Sequence, residues 1–154
     1  MSGFHTKRLR FIYWLVTGLF LVLQGWAALQ YLAESPRMTE SITGLGYPIY
    51  FMKILGVAKL LGIAAIATGL SPTLKEWAYA GFVFDVCGAF ASHLSAGDSL
   101  KIALVPVVFL TFQLASYFMW KRLLQQTALR RRHYGFGLPP KTDVPWPDER
   151  RSPA

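Results

Sequence analysis

Between Lys75 and Asp98 the chain reads KEWAYAGFVFDVCGAFASHLSAGD, a stretch long enough to cross a bilayer. It nonetheless carries Asp85 near its middle and His93 near its far end. A charged side chain at mid-bilayer depth costs several kcal/mol unless it is paired or faces a wet cavity. The segment must therefore pack among partner helices, one of which supplies the opposite charge. The preceding apolar segment does so with Lys59. An all-α integral membrane bundle follows from that requirement.

Composition agrees. Hydrophobic residues make up 53% of the 154 positions and aromatics 15%, beyond the balance of a soluble domain, and the length suits a single domain. A net charge of +8 on a soluble fold would suggest nucleic acid, but its placement excludes that partner. Three basic residues lie in the head, one in the 71–75 turn and eight from Lys121 onward, beside apolar runs. Basic excess of this kind marks a cytoplasmic side. The other two connections hold only Arg37 and Lys101. Four spans then place both termini in the cytoplasm, as expected for a multi-pass protein of a bacterial inner membrane. Cys87, the single cysteine, excludes an intramolecular disulfide and any multi-cysteine metal or redox motif.

In chain order, 1–10 is a short basic head and 11–33 the first span. The run is too long for a signal peptide and lacks a convincing small-x-small cleavage site. Its polar interior residue, Gln24, suits an interhelical hydrogen bond. Residues 34–48 read as a connection, broken by Pro36, Gly44, Gly46 and Pro48. The second span, 49–70, has small residues at Ala58, Gly62, Ala65 and Gly69, and Lys53 near enough to its end to snorkel. A turn with Pro72 makes a hairpin with the third span, 76–96, whose stripe Gly81, Asp85, Gly88, Ser92 is expected to pack against a neighbouring helix. The fourth span, 100–120, contains Gln113 and a tolerable kink at Pro106. Trp77, Tyr79, Tyr117 and Trp120 suit an interfacial aromatic belt. From 121 to 154 the chain is basic and proline-rich, with Arg130, Arg131 and Arg132 in a row, and is expected to be disordered. That cluster either binds anionic lipid or only fixes topology.

The expected fold is thus a four-helix membrane bundle with antiparallel neighbours. At 1.5 Å per residue, Lys59 lies about 16 Å and Asp85 about 14 Å from the cytoplasmic ends of their helices. Opposite charges at matching depth on hairpin-joined helices should pair. Such groups mark a proton, ion or ligand pathway, or else clip two helices together. His93, near the outer end, is placed to exchange protons with the outside. Gln24 and Gln113 complete the polar interior, and Gly62, Gly81, Gly88 and Ser92 the expected packing positions. No metal-ligand set or catalytic motif is evident.

The stretch GYPIYFMKILGVAKLLG followed by KEWAYAGFVFDVCGAFASHLSAGD resembles the DoxX-like family of small bacterial membrane proteins. The resemblance is close over 46–98, where Lys59, Glu76, Trp77, Asp85, His93 and Asp98 match the pattern. It implies four helices, and a link to membrane oxidoreductases through a relative in an archaeal thiosulfate:quinone oxidoreductase. No haem-binding histidine pair, flavin or nucleotide fingerprint or cysteine pair is present to carry electrons. Two readings stand, leaving open whether the chain is an enzyme. One is a redox-associated subunit that binds a quinone or similar lipophile between its helices. The other is a non-catalytic scaffold or assembly factor that docks a protein partner or a second copy. A small transporter is a weaker third, because four spans leave little room for alternating access.

Overall fold

The computed structural model describes the backbone of residues 2–135 and the side-chain surroundings of residues 7–129. The side chains of Arg130–Arg132 and the proline-rich stretch 136–154, expected to be disordered, lie outside the described residues. What is described is all helical: α1 (Ser2–Leu32), α2 (Pro36–Gly44), α3 (Ile49–Thr68), α4 (Pro72–Ser95), α5 (Leu100–Ala103) and α6 (Val105–Gly135).

Local chemistry sets most of the boundaries. Glu34, at φ 47, turns the chain out of α1. Gly69 ends α3 in the left-handed conformation, φ 59, where a Cβ would be strained. Two residues on, Ser71 caps α4, its hydroxyl accepting the Leu74 N–H at 3.4 Å, and Pro72 fills the first helical position, which needs no N–H. Gly97, at φ 78, closes α4 by donating to Leu94 O, while the Asp98 N–H returns to His93 O.

Three boundaries differ from expectation. The head is not separate, since α1 already runs from Ser2: its basic residues are good helix formers and no breaker follows them. The connection after α1 contains a nine-residue helix, α2, because Pro36 and Gly44 bracket it and do not interrupt it. The fourth apolar segment is broken at Leu104. Pro106 has no N–H to give Ile102, so α5 ends there and α6 restarts, continuing to Gly135.

Three helices are long and apolar enough to cross a membrane: Lys7–Leu32, Ile49–Thr68 and the Leu100–Leu129 segment. The long helix α4 is not among them, its hydropathy lowered by Lys75, Glu76, Asp85 and His93. It packs against both α3 and α6, as α1 does, so the four long helices form a ring. The outside of that ring is apolar, with Phe11, Trp26, Leu61 and Phe84 all well exposed. The inside holds Thr17, Gln24, Lys59, Lys75, Gln113 and Ser116 alongside a core of Tyr13, Phe20, Ile66, Tyr79, Phe82 and Trp120. An apolar exterior around a partly polar interior is the distribution of a membrane protein, and this is a multi-pass one.

The α4 stripe is corrected by one residue, while the α3 stripe is in part buried. The buried faces are Met52, Gly56, Lys59, Ala65, Ile66 on α3 and Lys75, Tyr79, Phe82, Val86 on α4. One residue is about 100° around a helix, so Gly81 and Gly88 lie off the contact, and a Cβ at either would meet nothing within 4 Å. The tight approaches are at Gly62, whose Cβ would come within 2.8 Å of the Phe82 ring, and at Gly56, equally close to Leu32. Tyr79 and Trp120, expected in an interfacial belt, instead sit in the core, where the Tyr79 hydroxyl meets Ser116 Oγ and the two rings stack.

Candidate functional site

The interior faces of three helices converge on one ammonium group. Lys59 points inward from α3 and is 7% exposed. Its Nζ donates to Asp85 Oδ2 of α4 and, at 3.1 Å, to Gln24 Oε1 of α1. An ammonium has three N–H donors. The third is left beside the faces of Tyr31 and Phe82, whose ring centres lie 5.9 and 5.8 Å from the nitrogen. Lys59, Asp85 and Gln24, all predicted from sequence, are therefore brought together.

Space surrounds the pair. A cavity of about 360 Å³ runs between α3 and α4, lined by Ala58, Gly62, Ala65, Trp77 and Gly81 and closed by Lys59 and Asp85. The small residues thus line a slot, although Gly62 also admits the close approach of Phe82. A second cavity, about 140 Å³, lies on the other side of the pair against Tyr31, Val105, Pro106 and Phe109. A third, about 250 Å³, extends from Asp85 along Gly88 and Ser92 to His93, under α2. Asp85 borders all three, and its side chain is 21% exposed.

At the end of the third cavity, His93 Nδ1 lies 2.7 Å from Asp98 Oδ2. Ser92 Oγ donates to Gly88 O and meets the Tyr47 hydroxyl at 2.8 Å. His93 is thus separated from Lys59 but shares a cavity with Asp85. Ser92 belongs to this polar rim and not to a packing seam.

Gln113 is elsewhere. It belongs to a second polar group with Tyr79, Ser116, Thr17, Tyr13 and Lys75, on the side of the core toward the α3–α4 turn. Lys75, read from sequence only as a turn charge, is 5% exposed and donates to Tyr13 OH at 2.8 Å. The missed signal was the spacing 75, 79, 82, 86, which places Lys75 on the same face as three core residues. Lys53, outside this interior, pairs with Glu34 at 2.7 Å on the surface. Among the described residues no three His, Cys, Asp or Glu side chains gather as a metal site.

Chemically, the Lys59–Asp85 site offers a hydrogen-bond donor and an acceptor at the closed end of an apolar slot. That suits a molecule with an apolar body and a polar, hydrogen-bonding head. A family model described as the DoxX-like family matches residues 15–116, which include every residue of the site. No curated protein and no solved structure matches the chain.

Proposed function

Because the chain belongs to the DoxX-like family and is a multi-pass membrane protein, we propose that α4 completes a four-span bundle that binds a quinone-class lipophile at Lys59 and Asp85. The facing pairs Lys59–Asp85 and Gly62–Phe82 favour opposite directions for α3 and α4. Glu76–Lys121 with Tyr79–Ser116 favour the same for α4 and α6, and Gln24–Lys59 with Leu32–Gly56 for α1 and α3. With the basic excess on the turn side, both termini face the cytoplasm of a bacterial inner membrane.

The observation that carries the ligand reading is the shared boundary. The ion pair closes the α3–α4 slot and also borders the cavity that leads to His93. A lipophile enters laterally through the slot, its carbonyl accepting from Lys59. Protons reach Asp85 from the His93–Asp98 end. In this reading the chain is a redox-associated subunit, with electrons supplied or taken by a partner.

One observation favours a structural role instead. Lys59 already has two acceptors, Asp85 and Gln24, which a helix clip would also require. In that reading the chain is a scaffold whose pair serves its own packing. Native mass spectrometry of the protein released from membranes, with extraction of bound lipophiles, separates the two. A quinone that co-purifies with the parent and not with a folded Lys59→Met/Asp85→Asn variant supports the first. A bare chain, or one holding only a stoichiometric protein partner, refutes it.

A further inference from the structure

The polar group around Lys75 has no part in the ligand site, yet it is more deeply buried than the pair that does. Lys75 is 5% exposed, Tyr79 3%, Gln113 1%, and Ser116 and Thr17 fully buried. A buried lysine is ordinarily paired with a carboxylate. None lies within ion-pairing distance of Lys75 among the described residues; the nearby Glu76 is taken by Lys121 at 2.6 Å. Lys75 has instead the Tyr13 hydroxyl and the faces of Tyr13 and Trp120, at 5.4 and 5.1 Å.

From Lys75 the polar atoms continue inward. Tyr13 and Tyr79 belong to the same core cluster, which sets the Lys75–Tyr13 pair beside the contacts of the Tyr79 hydroxyl. Tyr79 OH meets Ser116 Oγ at 2.7 Å, and Ser116 Oγ meets Thr17 Oγ1 at 2.6 Å. Both of these hydroxyl–hydroxyl contacts can be polarised in either direction, because each partner can donate or accept. Gln113 gives its amide N–H to Tyr79 O, while its Oε1 is buried without a hydrogen-bond partner. An orphan acceptor in such a network is the kind that an ordered water satisfies.

The chain of hydroxyls then stops. Phe20, Ile66 and Phe82 lie between it and the Lys59 site, on the same helix faces: Phe20 between Thr17 and Gln24, Ile66 beyond Lys59, Phe82 between Tyr79 and Asp85. Phe20 and Phe82 meet edge to face at 5.2 Å. The layer is one aromatic pair thick, spanning the roughly 10 Å that seven residues of α1 cover at 1.5 Å each.

We infer that Lys75, Tyr13, Tyr79, Ser116 and Thr17 form a second proton-relay path from the turn-side end of the bundle, and that the Phe20–Phe82 layer is its gate toward Lys59 and Asp85. A proton passes from the Lys75 ammonium to Tyr13 as each hydroxyl accepts one proton and releases its own to the next. When the layer opens, the innermost hydroxyl hands the last proton to water that enters there, and Lys75 is reprotonated from the aqueous end. No heavy-atom bond changes. With the His93 cavity on the opposite side, the interior consists of two polar half-paths and one dry layer. This assignment does not depend on which lipophile, if any, the α3–α4 slot holds.

The test uses the full chain in sealed vesicles containing a pH-sensitive dye, with a valinomycin-clamped potassium gradient as driving force. The parent should pass few protons. Phe82→Ala, which opens water-sized space in the layer, should raise proton flux at least tenfold with sodium flux unchanged. Adding Tyr79→Phe, which keeps the ring and removes the hydroxyl, should return the flux toward the parent value. Size-exclusion profiles establish that each variant is folded, and Ile66→Ala replaces Phe82→Ala if the latter is not. Proton flux that stays at the parent level in a folded, opened variant overturns the gate. Flux that rises and is indifferent to Tyr79→Phe overturns the relay.

Discussion

Removing one member of the Lys59–Asp85 pair gives a measurable loss whose size can be worked out. The side chains are 8% and 21% exposed, so the pair is buried at Lys59 and partly open at Asp85. Breaking a buried pair typically costs about 3–5 kcal/mol. Asp85 borders three cavities, so Lys59→Met should fall at the lower end, about 3 kcal/mol. At roughly 2–4 °C per kcal/mol for a chain of this size, the melting temperature drops by about 6–12 °C. Asp85→Asn should be milder, about 1–2 kcal/mol, because Lys59 keeps Gln24, two aromatic faces and a neutral amide acceptor. The double variant should lie within about 1 kcal/mol of the parent, since a buried pair replaced by neutral groups is often tolerated. Thermal unfolding in one detergent, followed by intrinsic tryptophan fluorescence, measures all four proteins. Additive losses in the double variant, or single variants as stable as the parent, would refute the buried-pair reasoning.

Other outcomes follow from the same geometry. Gly62→Leu should destabilise the bundle by about 1–3 kcal/mol through collision with Phe82, whereas Gly81→Leu should leave the melting temperature nearly unchanged while filling the α3–α4 slot and displacing any bound lipophile in native mass spectra. Glu76→Gln should shift stability by no more than about 1 kcal/mol, because its pair with Lys121 is some two-fifths exposed at both ends and is screened by solvent. Alkaline phosphatase fused after Gln125 should be inactive and a cytoplasmic reporter there active; the reverse would overturn the proposed orientation.

Much of the site was legible because charge in an apolar run has few solutions. Asp85 needed a cation, Lys59 was the available one at matching depth, and the two meet. Gln24 was equally legible as the polar residue of an otherwise apolar helix. The small residues misled, because a glycine stripe reads the same whether it admits a neighbouring helix or leaves a slot beside one. Only the fold distinguishes Gly62, where an added Cβ would run into the Phe82 ring, from Gly81, where it would meet nothing within 4 Å. Lys75 was obscured for a different reason. Its place near a turn made solvent the obvious partner, and only the fold brings Tyr13 and Trp120 from distant parts of the chain to cover it. The helix break at Leu104 was anticipated as a bend, and it rests on one missing N–H within a segment too apolar to signal an end.

That break gives the bundle a lever. Val105 and Pro106 line the small cavity beside Asp85, so whatever fills or empties it bears on the first turn of α6, next to the joint. On the long side is α6, 31 residues without interruption, or about 46 Å at 1.5 Å per residue. A rotation of about 5° at Leu104 would carry the far end through about 4 Å over that length. A displacement smaller than an atom at the ion pair is thereby magnified at the end of the helix where the arginine run begins. Occupancy of a site inside the membrane would be expressed as movement of charge outside it.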